Sequence, residues 1–598
     1  MRKIETIQVP QGITRLSEWP EFESLLPTDE HCILDKTLPG CGFTYFALTC
    51  CSKPVILLTP RLELAYSKAA QHPDALLYRA RDEKNTPIDQ LNQRVSQYVH
   101  TSTKPRIIVT YDSAHHVFDS LRLSGRLDNF LVCVDEAHCI VGDAAYKADV
   151  EVRLLQQLQH LRHVLYVSAT PYNPSFLDDI EAFNRCVFIK LVWPSPPEYT
   201  MTTRMKHPIT AFESIIRRYR ESGFFELKVE NGQVIVALQA VFFLNNVKEI
   251  AAVLTKYQLR PNEVNLLVSR DAMDKLPKGF RIGSAPLKGK KHKPMTFCSR
   301  RAFEGVDFYH ENAASYVFFM PNIQCLALDL RVDLLQIIGR QRLPHAFQHN
   351  VILYALNFGF TEGERQQWEA ELARKEEQTK KVMEIYTTLP HDQRDTIINL
   401  VANQSTPIDY LTILKNENAP SMLVENSLTR SADRRALEIR GLPYEKALRM
   451  IPADSVGDFI DDFYGATSFV RRMELLVKFY ATNPTEASLI SPYLPQPYQT
   501  YYEKVGPETI KACKYQEKKI KAAIQTSGQR EEAARQVKAL LPPGSYSRAQ
   551  VKKVLQGVYD AVGLKKKAKS TDLPTFIDGA TEKRVYVDGK RVWGWVVP

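Results

Sequence analysis

The ten cysteines include no C-x-x-C pair, and no apolar run approaches the ~18 residues that a membrane-spanning helix needs. The first absence argues against a zinc ribbon or a disulfide framework. Cys133 and Cys298 lie inside apolar runs, as reduced thiols of a cytoplasmic protein do. Met1 to Pro10 carries Arg2, Lys3 and Glu5 with no apolar stretch behind them, so neither secretion nor membrane insertion is expected. There is no internal repeat, and His115-His116 has no partner at metal-ligand spacing. No nuclease, protease or methyltransferase constellation emerges. What is present is ordinary for globular protein, with 44% hydrophobic and 24% charged residues in a chain of 598. That length predicts several domains rather than one core.

The net charge of +10 is unevenly placed. Residues 501–598 hold 20 Lys and Arg against 10 Asp and Glu, so the preceding residues sum to about zero. A basic tail on a neutral body predicts an anionic partner, nucleic acid first.

Short apolar runs at 32–35, 55–59, 106–110, 131–134, 164–168 and 187–191 alternate with segments of helical composition such as 44–48 and 150–161. This is the rhythm of a parallel α/β sheet. A second set of runs lies at 234–238, 241–244, 264–268, 295–298, 314–319 and 351–356. Between the sets, Pro194, Pro196, Pro197 and Pro208 suggest a linker. After about residue 360 the pattern turns helical, at 364–386, 432–439, 465–479 and 508–540. Pro542-Pro543-Gly544 marks a boundary, followed by a helix at 547–562, a short one at 570–577 and a hairpin at 583–597 turning at Asp588-Gly589.

Asp135-Glu136-Ala137-His138 follows the run Phe130 to Val134. A buried parallel strand delivers such residues to the crevice at its C-terminal end. In a nucleoside triphosphatase the first carboxylate would hold Mg²⁺ and the second would polarise the attacking water. The first strand leads into Lys36-Thr37-Leu38-Pro39-Gly40-Cys41-Gly42-Phe43-Thr44. Against G-x-x-x-x-G-K-[ST], Gly42 matches the second glycine and Thr44 the metal-binding hydroxyl. Thr37 replaces the first glycine and Phe43 the lysine. Lys36 is the nearest substitute cation, on a flexible stem.

With these residues the chain resembles superfamily-two helicases and translocases of the DEAH-box type, in an outlying branch such as those of phages or mobile elements, with a variant P-loop. Pro60 and Arg61 in ILLTPRL, and Thr110 and Tyr111 in VTYDS, are similar to loops that touch the nucleic-acid backbone. Ser168-Ala169-Thr170-Pro171 matches the coupling motif. Asn245 falls in the fourth motif, and Thr296, Gly305 and Asp307 in the fifth. Gln336-Ile337-Ile338-Gly339-Arg340-Gln341-Arg342 resembles the sixth, with its second arginine one residue early and Leu343 in the usual place.

The resemblance implies two RecA-like α/β domains at 30–192 and 233–360, covering about residues 30 to 360. Around them lie an N-terminal extension (1–29), a linker (193–232), a helical region (361–543) and a basic winged-helix-like module (544–598). It implies ATP and Mg²⁺ in the inter-domain cleft, cradled by Lys36, Pro39, Gly40, Cys41, Gly42, Phe43 and Thr44 with Gly305 and Asp307. Thr44 and Asp135 would place the metal. Glu136 would act as base, with Gln336, Arg340 and Arg342 from the other side. His138, Ser168 and Thr170 would couple the cleft to a nucleic-acid face formed by Pro60, Arg61, Thr110, Tyr111, Asn245 and Thr296. In the basic module, Lys565, Lys566, Lys567, Lys590 and Arg591 would meet phosphates. Tyr586, Trp593 or Trp595 could stack on bases, although Trp593 and Trp595 are expected chiefly as core. The expected activity is ATP-driven movement on DNA, in replication or repair. RNA as the track, or a catalytically silent DNA-binding protein, are the alternatives.

Overall fold

The computed structural model describes residues 3–598 except 80–85, 145–146, 171–176, 179, 304, 321–325, 327, 329–331, 357–360, 404–409, 417–418 and 441–448. The side chains of 270–271, 301, 416, 419 and 435–440 are also outside the description. Pro171 of the coupling motif and Glu304 of the fifth motif therefore lie outside the described residues. The chain forms two compact units, one of residues 1–216, 224–226 and 236–453, the other of 217–223, 227–235 and 454–598. No helix among the described residues is long and apolar enough to cross a membrane.

The first unit is α/β and holds two wholly parallel sheets. The strands of the first are β1 (Ile4–Gln8), β2 (Cys32–Asp35), β3 (Val55–Thr59), β4 (Leu76–Leu77), β5 (Arg106–Thr110), β6 (Leu131–Asp135), β7 (Val164–Ser168) and β8 (Val187–Val192). Their order is β1-β8-β2-β7-β6-β3-β5-β4. Central strands such as β3 and β6 are buried along their whole length, which is why they read as unbroken apolar runs. One face packs Val95, Phe118 and Ile140. The other packs Leu16, Trp19, Phe22 and Phe46. Residues 1–29, expected as an extension, instead supply the edge strand β1, whose Ile4 pairs with Phe188. Its alternating sequence has no apolar run to betray it.

The second sheet contains β9 (Thr200–Met205), β12 (Gln239–Phe243), β13 (Val264–Leu267), β14 (Met295–Cys298), β15 (Ala313–Phe319), β16 (Asn350–Ala355) and β19 (Arg449–Pro452), in the order β13-β14-β12-β15-β16-β9-β19. Together the two sheets form tandem RecA-like domains. The expected linker is thus no mere connection, because β9 is an internal strand of this sheet. Its prolines stand before the strand and at the start of the helix Pro208–Ser222, positions that disturb neither element. Residues 234–238, expected in the sheet, instead form β11 (Gln233–Ala237), a hairpin with β10 (Glu226–Glu230). The turn at Asn231-Gly232 has positive φ at both residues, the signature that folds two strands back on each other. In the same domain, buried Arg204 donates to both oxygens of Glu226 at 2.8 and 3.2 Å and to the Tyr354 hydroxyl at 2.9 Å, so the ion pair is also hydrogen-bonded.

Beyond residue 360, a 27-residue helix, Glu362–Thr388, starts at a capping box between Thr361 and Glu364. The region is not wholly helical, since β17 (Leu411–Asn416) and β18 (Ala419–Glu425) form a hairpin and β19 returns to the second sheet. The following helix, Ser427–Arg440, places Leu428 in the core of the first domain.

In the second unit, Arg218 pairs with Asp461 at 3.2 Å, and Arg472 holds both oxygens of Glu221 at 2.6 and 3.1 Å. The chain then forms β20 (Gly544–Ser547), the helix Arg548–Val562, a short turn at Ser570–Thr575, and β21 (Thr581–Val587) paired with β22 (Lys590–Val597). The helix, turn and hairpin follow the order expected for this segment, whereas β20, which pairs with β22, was not expected. Its core is not its own, however, because Ala533, Val537 and Leu541 pack with Val551, Leu555, Tyr559 and Trp595. Pro542 and Pro543 redirect the chain without ending the core. Trp595 is buried, whereas Trp593 is 51% exposed, with the guanidinium groups of Arg548 and Arg584 at 5.6 and 5.9 Å from its ring centre. Trp593, Trp595 and Val597 share one face of β22, and the hairpin carries Trp593 past the core that covers the other two.

Candidate active site

Strands β2, β7 and β6 are neighbours, so their C-terminal ends bring Lys36, Ser168, Asp135 and Glu136 to one rim of the first sheet. Opposite them, the segment from Gln336 to Arg342 closes a cavity of about 580 Å³. The loop 39–44, Glu136, Gly305, Asp307, Arg340 and Arg342 all line it. Sequence-distant groups are thereby gathered in one cleft within the first unit.

The glycine loop is shaped by backbone conformations that side chains disfavour. Gly40 has φ 77° and Gly42 φ 83°. A Cβ on Gly40 would collide with Arg342 Nη1, so the loop's lack of a side chain makes room for that guanidinium. The expected helix at 44–48 is distorted rather than regular, with one α turn at Phe43–Tyr45 running into a π-helical turn at Phe46–Cys50. Phe43, in the lysine position of the P-loop pattern, is 2% exposed and packs in the same core as Phe46 and Trp19. Its ring is structural and offers phosphate nothing.

Two ammonium groups stand at the acids instead. Lys36 Nζ lies 3.6 Å from Asp135 Oδ1, and Lys68 Nζ 3.6 Å from Asp135 Oδ2. Lys68 also donates to Thr44 Oγ1 at 2.5 Å. Burial disfavours the Lys36 charge, but the carboxylates of Glu136 and Asp135 outweigh it and raise its pKa. Lys68 belongs to none of the sequence motifs. It lies on the helix Leu62–Gln71, just beyond a loop expected to face nucleic acid, and only the docking of that helix turns it toward Asp135.

Glu136 has φ 50°, a left-handed conformation that costs a non-glycine residue energy and turns its carboxylate into the cleft. Burial pushes its pKa up, but Lys36, Arg340, His138 and Lys68 together draw it down to about 2. Arg340 Nη2 donates to Glu136 Oε1 at 3.3 Å, and Gln336 Nε2 donates to Oε2 at 3.2 Å. Arg342 reaches Asp307 Oδ1 through Nε at 2.7 Å and Nη2 at 2.6 Å. The two arginines thus divide the cleft. Arg340 lies on the Glu136 carboxylate, Arg342 against the glycine loop and Asp307.

The residues expected to couple the cleft are in contact. His138 Nδ1 lies 2.8 Å from Ser168 Oγ and 3.7 Å from Glu136 Oε2. Ser168 Oγ accepts from the Thr170 amide at 2.9 Å, and Gln336 Nε2 donates to Thr170 Oγ1 at 2.9 Å. A chain of hydrogen bonds therefore joins both domains through Thr170.

The expected nucleic-acid face fares less evenly. Tyr111 is 3% exposed and donates its hydroxyl to the Asp135 carbonyl at 2.6 Å, so it braces the acid strand rather than meeting a ligand. Thr296 is 1% exposed within β14, and Pro60, just past the end of β3, is buried as well, so neither side chain is open to a strand of nucleic acid. Arg61 forms a bidentate pair with Asp143, at the end of the short helix that follows the acidic tetrad. Thr110 is half-buried at the end of β5, and Asn245 accepts from the Arg300 amide at 3.0 Å. In the second unit Lys565, Lys566, Lys567, Lys590 and Arg591 are on the surface, with Lys566 paired to Asp572 at 3.1 Å.

Thr44 Oγ1 and Asp135 Oδ2 converge on one cation, the Lys68 ammonium. A hydroxyl and a carboxylate are the hard oxygen donors that suit Mg²⁺, so the chemistry of this pair fits the metal that the sequence resemblance implies.

No family model and no curated protein matches the chain. Among solved structures it is similar to S. cerevisiae Dbp5 bound to RNA and ADP BeF3, at 14% identity and TM-score 0.37, over 58% of this chain and 84% of that one. It is similar to the Mycobacterium smegmatis helicase Lhr bound to ssDNA and AMP-PNP, at 13% identity and TM-score 0.33, over 69% of this chain and 58% of that one. It is also similar to the ATP-dependent Type ISP restriction-modification enzyme LlaBIII bound to DNA, at 12% identity and TM-score 0.37, over 96% of this chain and 41% of that one.

Proposed function

We propose that the chain is a nucleic-acid-dependent ATPase that moves on DNA. The observation that carries this reading is the convergence of Lys36, Asp135 and Glu136 from the first domain with Gln336, Arg340 and Arg342, on a helix and the turn after it in the second, around a single cleft. ATP bound there lays its phosphates over the loop 39–44. Thr44 and Asp135 would hold Mg²⁺, which neutralises phosphate charge and draws electrons from the reacting phosphorus. Glu136 orients the attacking water and takes its proton. Arg342, already against Gly40, stabilises charge that develops on the transferred phosphoryl group. Arg340 and Gln336 hold Glu136 and, through Thr170, Ser168 and His138, link base position to domain closure.

Glu136 is a weak base while Arg340 holds it and the nearby charge of Lys36 acts on it, since a pKa of about 2 leaves little drive to take a proton. Phosphate oxygens seated beside those cations offset their charge and raise its basicity when substrate is bound.

A nucleic-acid track is supported by the basic C-terminal segment, where the half-exposed Trp593 lies in the same module as the lysines 565–567, and DNA is preferred over RNA on the form of the sixth motif and the helix-and-hairpin order of that module. Replication or repair is the setting in which such a motor would work. ATP-driven displacement of streptavidin from biotinylated single strands tests the motor directly. Displacement from DNA but not RNA is the expected result; displacement from RNA alone would name the other track, and none from either would remove translocation.

If Lys565, Lys566 and Lys567 neutralise phosphates, their joint replacement by alanine should flatten the slope of log Kd against log salt. The slope should fall by about 0.7 to 0.9 for each phosphate left without its lysine. An unchanged slope would reduce this segment to scaffolding.

A further inference from the structure

The P-loop pattern requires a cation for the terminal phosphates, and this chain has a core phenylalanine in that position. Lys36 is the nearest lysine in sequence, but its backbone is fixed at the end of β2. Its amide donates to the Ser168 carbonyl at 2.9 Å and its carbonyl accepts from Trp193 Nε1 at 2.9 Å. Its side chain is 9% exposed and faces the two carboxylates. Lys36 is therefore placed to balance the acids.

Lys68 is placed differently. It reaches the loop from the helix side of the cavity, with its side chain 19% exposed. The helix that carries it is anchored across the cleft, where Leu64 packs so closely on Gly305 that a Cβ there would lie 2.7 Å from Leu64 Cδ2. Its ammonium sits on Thr44 Oγ1 and beside Asp135 Oδ2, the two oxygens that suit the metal. Two cations cannot share those donors without strong repulsion. A lysine that yields them has a four-carbon stem to turn on, and the adjoining anion is the phosphate chain over Gly40 to Thr44.

We propose that Lys68, on the helix after β3, supplies the terminal-phosphate cation that the loop gives up at Phe43. Lys68 holds Thr44 and Asp135 together as a tethered counter-ion, then yields them and moves its ammonium to the phosphates. This rests on the ATP-binding reading above. It also makes closure of the second domain part of phosphate recognition, because Gly305 positions the helix that bears Lys68.

Equilibrium binding of ATP with Mg²⁺ to the intact chain tests it. Lys68→Met should weaken ATP binding about tenfold or more, and Lys68→Arg should recover most of that loss, as expected for a charge-assisted contact. The Lys68→Met variant keeps an unbranched apolar stem of similar length, so a loss restored by arginine reports charge rather than packing. ATP affinity unchanged in Lys68→Met, or equally lost in Lys68→Arg, would overturn the proposal. A second measurement needs no variant: ATP, and not AMP, should slow acylation of Lys68 in the wild-type protein, and equal labelling with and without ATP would overturn it. Failure of the wild-type chain to bind ATP would instead remove the ATPase reading itself.

Discussion

Glu136→Gln is expected to lower ATP turnover by about 10²- to 10⁴-fold while nucleotide affinity stays within about threefold. The side chain is buried, its two oxygens are held by Arg340 and Gln336, and glutamine keeps the shape and one acceptor. What it loses is the ability to take a proton from water. Single-turnover hydrolysis and equilibrium binding, measured on the same preparation, separate the two effects. Turnover within tenfold of wild type would take the base role away from Glu136. Removing this carboxylate also leaves Lys36 and Arg340 with less opposing charge, so any change in nucleotide affinity should be a modest gain.

Arg342→Ala should reduce kcat by about 10³-fold or more, and Arg340→Ala by less, if Arg342 is the finger. The geometry behind this ordering is local. Arg342 Nη1 occupies the space that a Gly40 side chain would need, whereas Arg340 is hydrogen-bonded to Glu136 and Gln336 and reaches Asp307 only at 3.9 Å. Arg342 must exchange Asp307 for phosphate oxygens, so Asp307→Asn should shift its position without removing its charge. Comparable kcat losses in Arg340→Ala and Arg342→Ala would contradict the division of labour. A larger loss in Arg340→Ala would reverse it. The early placement of the second arginine in the sixth motif is thus no defect in itself, since the observed turn still carries the guanidinium to the glycine loop.

The central strands were legible because burial on both faces leaves unbroken apolar runs, as in Val55–Thr59 and Ala313–Phe319. β1, β9 and β19 escaped because their sequences, IETIQ, TMTTRM and RMIP, carry polar residues that lie at or near a sheet edge. The acids, the glycine loop and the two arginines were legible as motifs because each forms a short contiguous stretch of the chain. Lys68 was not, for the opposite reason. Its place depends on the docking of a helix against Gly305, a contact between segments about 240 residues apart that no local pattern encodes. Tyr111 is the converse case. The likeness of VTYDS to a loop that touches nucleic acid suggested a ligand contact, whereas its hydroxyl is spent on the Asp135 carbonyl.

Coupling between the cleft and a nucleic-acid strand is the property that would make the chain a motor, and steady-state ATP hydrolysis by the intact chain, with and without single-stranded DNA or RNA, measures it. Turnover that rises severalfold with one polymer, and is lost in both the presence and absence of polymer in Glu136→Gln, is the predicted result. A well-folded chain that binds nucleic acid yet hydrolyses no ATP with either polymer would contradict it and leave the cleft as the relic of a motor.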